Sequence, residues 1–281
     1  MNEHFMTTEQ IEAFGAYLHA QEREASTIEK YLRDVEAFRL WLYGRAVTKE
    51  AAASWKEHLM TNGYAPATIN AKLAALNCFL EFAGRQECKV KALRIQRRIF
   101  RDSSKELTKE EYKKLVITAR HLGRERLALT IETICATGIR VSELRFITLE
   151  ALRAGRVEIA LKGKIRTIMI PGKLCRKLLK YAKKQKIASG ELFLTRSGKG
   201  LSRKQIWAEM KALCRKAGVD DTKVFPHNLR HLFARCFYRA CRDIARLADV
   251  LGHTSIETTR IYLISTGIEH AKTLEALRLI I

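Results

Sequence analysis

Only three prolines interrupt the chain, its seven cysteines include no Cys-x-x-C pair, and no uncharged stretch approaches the length of a membrane span. Even the apolar run Leu127–Ile139 contains Glu132, whereas a spanning helix needs roughly 20 consecutive apolar residues. The cysteines (Cys78, Cys88, Cys135, Cys175, Cys214, Cys236, Cys241) are odd in number and scattered, several of them in apolar stretches. That pattern excludes a disulfide framework or a zinc ribbon and points to reduced, buried thiols in a cytosolic protein. The start, MNEHFMTTEQ, is too polar and acidic for a signal peptide, so a cytoplasmic location without membrane contact is expected. Acid is also scarce, with 30 Asp and Glu against 52 Lys and Arg, a net charge of +22. Such an excess calls for a polyanionic partner, and with a membrane set aside that partner is nucleic acid. Residues 1–100 carry 14 basic and 12 acidic side chains, so nearly all of the excess lies beyond them.

What is present reads as helix almost throughout. Thr7–Gln10 and Ser26–Glu29 are helix-start patterns, and Ile28, Tyr31, Leu32, Val35, Phe38 and Leu42 then recur at helical spacing. Lys49–Met60 is a third helix; Asn62-Gly63 breaks the chain, and Pro66 suits the first turn of a fourth. Arg33, Lys72 and Asn77 are expected on the outer faces of this unit, either as solvated surface or as DNA contacts. Residues 86–106 lose the apolar periodicity and turn basic, forming a tether or a strap along a phosphate backbone through Arg97, Arg98 and Arg101. Thr108-x-x-Glu111 opens another helix, and Leu127–Ala136 is nearly all apolar and central to a second core. A β-hairpin follows, Val157–Leu161 and Ile165–Ile170 around a basic tip of Lys162, Lys164 and Arg166, with Leu192–Leu194 as a third short strand. A basic loop holding Arg196, Lys199 and Arg203 leads through Ser202-x-x-Gln205 into more helix. No internal repeat or low-complexity segment occurs.

The chemistry-bearing residues gather late. His227, Arg230 and His231 share one helix face, while Leu229, Leu232, Phe233 and Phe237 supply its buried side. Arg140 follows an apolar helix and a glycine turn, where a guanidinium can be held at the edge of a core, and Glu143 lies three residues on to brace it. In Leu251–Tyr262 (LGHTSIETTRIY), Thr254-x-x-Glu257 reads as a capping box that starts a helix, with Tyr262 about two turns further on. Phosphoryl transfer to a protein needs an oxygen nucleophile, planar cations matching the equatorial phosphate oxygens, and a proton donor for the leaving alkoxide. Tyr262, the pair Arg140 and Arg230, and a hairpin lysine fill those roles. A phenol with an ordinary pKa of about 10 stays mostly neutral, so a nearby acceptor, His227 or His253, is required. His227 and His231 also have the spacing of metalloprotease zinc ligands, but the glutamate beside the first histidine is missing and Arg230 would face the dication, so no metal is expected.

Three stretches in this order, ATGIRVSEL (Ala136–Leu144), HNLRHLFA (His227–Ala234) and LGHTSIETTRIY (Leu251–Tyr262), resemble the catalytic boxes of the tyrosine recombinases, the phage-integrase family. STIEKYLRD and ATINAKLAAL in the first part are similar to that family's core-site-binding domain. The resemblance implies a mainly α fold of two domains. These would be a SAM-like helical bundle over residues 1–90 and, after a basic linker at 91–105, a catalytic domain over 106–281 with a small antiparallel sheet, the DNA breaking-rejoining enzyme fold. The two domains would form a C-shaped clamp on double-stranded DNA. The implied function is site-specific strand exchange: Tyr262 forms a 3′-phosphotyrosyl link, Arg140 and Arg230 hold the non-bridging oxygens, and His227 exchanges the nucleophile's proton. His253 assists at the phosphate, Glu143 supports, and a hairpin lysine protonates the leaving 5′ oxygen. No cofactor is implied, and the family works as dimers on a site and tetramers in a synapse, in some cases with a partner recombinase.

The hairpin reads KGKIR, one residue tighter than the family's common form, which makes Lys162 the first choice for general acid and Lys164 the alternative. With no arm-binding domain ahead of the helical unit, the sequence is similar to Xer-type or simple mobile-element recombinases. The apolar end at Ile281 would dock on a neighbouring subunit or on its own domain. Two rivals share the motifs: a type IB topoisomerase using the same phosphotyrosine, and a silent DNA-binding protein that kept the fold.

Overall fold

A computed structural model describes residues 5–95, 103–161, 164–253, 255–262 and 275–277, divided after Arg97 into two units. In the first, α1 (Thr8–Ala20) begins at a capping box in which Thr7 and Gln10 exchange side-chain-to-backbone bonds of 3.1 and 3.2 Å. The second helix start is displaced by one residue. Helix α2 (Ala25–Leu42) begins before Ser26, with Glu24 at the N-cap position and no side-chain capping bond. Helix α3 (Lys49–Thr61) is capped by Thr48, and α4 (Pro66–Phe82) takes its proline at the start. Phe14, Leu18, Val35, Phe38, Trp55, Leu73, Leu76 and Phe79 interlock between the four helices, each such burial contributing about 1.5–3 kcal/mol. Phe14 and Phe79 meet edge to face, 5.4 Å between centroids.

The basic stretch beyond α4 is held to this unit further than its composition predicts. Asn77 donates to Val90 O (2.9 Å) and accepts from Val90 N (3.0 Å), and Asn70 does the same with Leu93, at 2.9 and 2.7 Å. Side-chain amides thus replace a β-ladder, pairing the backbone groups of residues 90 and 93.

The second unit is built around α6 (Glu125–Thr137), whose Leu127, Ala128, Leu129, Ile131 and Ile134 are all buried. Its buried threonines satisfy their own hydroxyls on carbonyls one turn back, Thr133 on Leu129 O at 2.7 Å and Thr137 on Thr133 O at 2.6 Å. Around it pack α5 (Lys109–His121, again capped by Thr108 and Glu111), α7 (Leu149–Ala154), α8 (Gly172–Lys184), α9 (Arg203–Ala217) and α10 (Pro226–Cys241). Helices α11 (Ile244–Leu251) and α12 (Ile256–Arg260) follow. Strands β1 (Arg156–Leu161) and β2 (Lys164–Met169) form an antiparallel hairpin in which Ile159 faces Arg166 and Val157 faces Ile168. No third strand joins it among the described residues; near Leu192–Leu194 there are only isolated bridges, Thr148 with Glu191 and Leu194 with Gly200. The tip residue Lys162, the Lys164 side chain, Arg97, Arg98, Arg101, Thr254 and the C-terminal segment except 275–277 lie outside the described residues.

Candidate active site

Two helix ends make the seat of Arg230. Helix α6 stops at Gly138, which adopts the left-handed conformation (φ +66°), and α11 stops at Gly252 (φ +62°). The terminal carbonyls of a helix lack intrahelical partners and carry partial negative charge. From the first turns of α10, Arg230 reaches both ends, donating to Gly138 O and, at 2.7 Å, to Leu251 O. It is 2% exposed. Burial and the neighbouring Arg140 push its pKa down to about 10, opposed by the Tyr262 side chain, which bonds to it. Its positive charge therefore persists at neutral pH.

Arg140 precedes a 3-10 turn, Val141–Phe146, and is the more accessible of the two arginines. Glu143 braces it on both sides, accepting from the Arg140 backbone N–H at 2.6 Å and from its Nη1 at 3.0 Å. Arg140 Nη2 reaches Gly252 O at 3.5 Å, bringing it to the same helix end that holds Arg230. Glu143 itself is buried and also accepts from Arg166 Nη2. Two guanidiniums thus share one carboxylate, and Arg230 adds a third positive charge beside Arg140, leaving positive charge to meet an anion.

The phenol and the histidines complete the cluster. Tyr262 is 3% exposed, packed with Ala234, Leu247 and Leu251 and flanked by Phe233, Phe237 and Tyr238. Its ring lies 4.4 Å from that of His231, 5.8 Å from that of His253 and 6.4 Å from that of His227. His253 stands with Nε2 at 3.0 Å from Arg230 Nη2 and Nδ1 at 2.9 Å from Thr259 Oγ1. Burial, Arg230, Arg140 and Arg166 push its pKa down to about 4. His227 reaches solvent, yet desolvation, Arg230 and Arg140 also lower its pKa. Both rings are therefore neutral near pH 7. Among the described residues no group of three metal-ligating side chains forms, and no helix is long and apolar enough to cross a membrane.

The comparisons with known proteins agree with this geometry. Residues 105–267 match the phage integrase family and residues 11–87 its N-terminal SAM-like domain. Tyrosine recombinase XerA of Pyrococcus furiosus is 32% identical over 292 residues, covering 99% of each chain. The chain belongs to the phage integrase family, the tyrosine recombinases. Tyrosine recombinase XerC of Roseiflexus castenholzii is 33% identical, over 90% of this chain and 88% of its own. A lambda integrase tetramer bound to a Holliday junction shares the fold with a TM-score of 0.72 at 18% identity, over 90% of this chain and 76% of that one.

Within this integrase-family chain, the structure gathers Arg140, Glu143, His227, Arg230, His253 and Tyr262 into one pocket. The residues expected on DNA fare differently. Arg33, Arg196, Lys199 and Arg203 are exposed. Lys72 instead pairs with the buried Asp34 at 3.1 Å, Asn77 holds Val90, and Arg166 turns inward to Glu143. A period-two reading of Arg166, Ile168 and Ile170 already puts Arg166 on the buried face of β2. Two other contributors were missed in the sequence. Thr259, fully buried, holds His253, and its signal was a hydroxyl three residues before Tyr262 on a short helix. The start of α10 is clasped by Asn228, whose Nδ2 donates to Lys105 O at 2.9 Å and Lys223 O at 2.7 Å. The initial capping residue of α12 is Ser255, which bonds Glu257 N at 3.2 Å.

Proposed function

We propose that this site-specific recombinase cuts and rejoins double-stranded DNA through a covalent link at Tyr262. The phenolic oxygen attacks the scissile phosphorus as the phosphorus–O5′ bond breaks, giving a 3′-phosphotyrosyl ester and a free 5′-hydroxyl. The Tyr262 proton passes to His227, which is neutral and solvent-connected, and a hairpin lysine, Lys162 or Lys164, protonates the departing oxygen. Arg140 and Arg230 hold the two non-bridging oxygens, matching the charge that builds up in the transition state. Because the ester bond is conserved, no energy source or metal is required for rejoining. The observation that carries this reading is the convergence of Tyr262 with Arg230, Arg140 and the two histidines His227 and His253.

Exposed Arg33, Arg196, Lys199 and Arg203 supply phosphate contacts that carry no chemistry. Strand exchange between two sites requires several subunits, and a homotetramer with two protomers per site is the assembly that meets this need. The lambda integrase tetramer on a Holliday junction supports it by fold. The mechanism is tested with a nicked duplex that loses a short strand on cleavage. The wild-type chain should become covalently attached to DNA and Tyr262→Phe should not, while retaining affinity. Equal trapping by both proteins would remove Tyr262 from its role.

A further inference from the structure

Arg166 is the guanidinium of the pocket that the proposed chemistry leaves without a role. It is 13% exposed at the side chain and projects from the core-facing side of β2, directly across from the buried Ile159. A free guanidinium on that face would be costly to bury, but this one is bonded at both terminal nitrogens. Nη2 donates to Glu143 and Nη1 donates to Val250 O at 3.1 Å, near the end of α11. Its flat stem and fork also lie against Gly252. A Cβ added there would fall 2.5 Å from Arg166 Cδ, 2.7 Å from Nη1 and 3.0 Å from Nε.

Three parts of the site therefore meet on one side chain. The hairpin supplies Arg166, and the 3-10 turn after Arg140 supplies Glu143. The end of α11 supplies Val250 and its cap Gly252, directly before His253. Glu143 has only two oxygens, and Arg140 takes one through Nη1 and shares the other, through its backbone N–H, with Arg166. Without Arg166 the carboxylate loses its charge-bearing second partner and is free to rotate toward Arg140. The surface of Gly252 on which the turn leans is lost at the same time.

We infer that Arg166 is a positioning residue of the recombinase, a strut that fixes Glu143 and, through it, the angle at which Arg140 is presented to the phosphate, while tying the lysine-bearing hairpin to the turn that carries His253. The inference rests on the reading of Arg140 as a phosphate-binding residue. Lysine cannot replace it, because an ammonium is a point donor and cannot span Glu143 and Val250 O in one plane. Displacement of a reacting group by about 1 Å commonly costs on the order of 100-fold in rate, and that is the scale of loss expected for Arg166→Gln. Arg166→Lys should recover only part of it.

The experiment is a double-mutant cycle of Arg166→Gln with Arg140→Ala, read as the rate of covalent trapping on the nicked duplex, with Arg166→Lys beside it and thermal unfolding of each protein measured. If Arg166 acts through Arg140, its loss slows trapping about 100-fold with DNA affinity changed by less than about threefold. In the Arg140→Ala background the same change should add little further loss. Unchanged trapping in Arg166→Gln, or full additivity with Arg140→Ala, overturns the inference. A second arm does not depend on cleavage: the Arg140 Nε–H resonance of the free protein should change its chemical shift in Arg166→Gln but not in Arg203→Gln. An Arg140 signal unaltered by Arg166→Gln overturns the inference even in a chain that cuts no DNA. Failure of the wild-type chain to trap DNA would instead overturn the reading of Tyr262.

Discussion

His253 Nε2 lies 3.0 Å from Nη2 of Arg230, and a guanidinium can only donate. The Nε2 lone pair therefore accepts, the ring proton sits on Nδ1, and Nδ1–H donates to Thr259 Oγ1 at 2.9 Å. A neutral imidazole of one defined tautomer is built into the pocket, and this has a measurable pH signature. The His253 pKa is about 4 in the folded protein against an ordinary 6.5. Between those values the unfolded chain binds a proton that the folded one refuses. Stability is thus complete above pH 6.5 and declines as pH falls toward 4. His227, lowered by the same arginines, acts in the same direction. Histidine C–H resonances followed by NMR should place the His253 midpoint near 4, and Arg140→Ala should raise it. A midpoint near 6.5 in the wild type would show that Arg230 and His253 are not in contact.

Thr259→Val tests the other end of that ring. It leaves the shape nearly intact while removing the oxygen that accepts from Nδ1–H, so a buried donor loses its partner. The expected cost is about 1–3 kcal/mol in urea unfolding, with a change in the His253 Nδ1 shift in its ¹⁵N spectrum. Thr258→Val, whose site is exposed, should change neither. Identical behaviour of the two variants would detach Thr259 from the histidine.

Arg230 and Arg140 should separate in their effects on folding and coincide in their effects on cleavage. Arg230 fills a buried seat between two helix ends, so Arg230→Ala leaves Gly138 O and Leu251 O without their donor and lowers stability by several kcal/mol. The Arg140 side chain is 44% exposed and its removal leaves Glu143 with Arg166 still bound, so Arg140→Ala should unfold close to the wild type. Each should slow covalent trapping at least about 100-fold. An Arg140→Ala protein that melts as early as Arg230→Ala would mean that the accessible arginine is a structural one.

Those contrasts also mark what was legible in the sequence. Helices with a capping box or a strict apolar stripe were readable, because caps and periodicity are local: Thr7, Thr108 and Ser202 all cap as their spacing predicts. At Ser26 the helix starts one residue early, because several residues near a helix start can take the cap position. The members of the pocket were legible as box residues, since their chemistry is unusual in combination. What each one touches was not legible. Arg166 and Lys72 are cations in a basic chain, and charge alone gives no sign that one is bonded to Glu143 and the other to Asp34. Asn70, Asn77 and Asn228 were opaque for a related reason, because an asparagine that clasps a distant backbone has the same local sequence as one on the surface.

Affinity for DNA should be carried by phosphate contacts and therefore depend steeply on salt. Each phosphate neutralised contributes a slope of roughly 0.9 log units of binding per tenfold change in salt. Removing one of the exposed basic residues Arg196, Lys199 or Arg203 should reduce that slope by about one contact without changing the trapping rate at saturation. Filter binding or fluorescence anisotropy across a salt series reads this directly. A slope untouched by all three substitutions would move the DNA contact elsewhere on the protein.

Gly138 joins folding to chemistry at a single position. It ends α6 in the left-handed conformation, and a Cβ there would lie 2.3 Å from Cδ1 and 2.5 Å from Cε1 of Phe233. Phe233 is on α10, one turn beyond Arg230, so the ring cannot retreat without moving the helix that delivers the guanidinium to Gly138 O. Gly138→Ala should therefore incur both a backbone penalty of about 1 kcal/mol and an overpacking penalty of about 1–3 kcal/mol. Gly155 is the control: it has the same backbone conformation, φ +67°, but nothing within 4 Å of an added Cβ. Gly155→Ala should show only the smaller loss. At a temperature where both variants are folded, Gly138→Ala should also trap DNA more slowly, because Arg230 is displaced, while Gly155→Ala traps at the wild-type rate. If the two variants lose equal stability, Phe233 is not pressed against the α6 terminus and the coupling between that packing and Arg230 is absent.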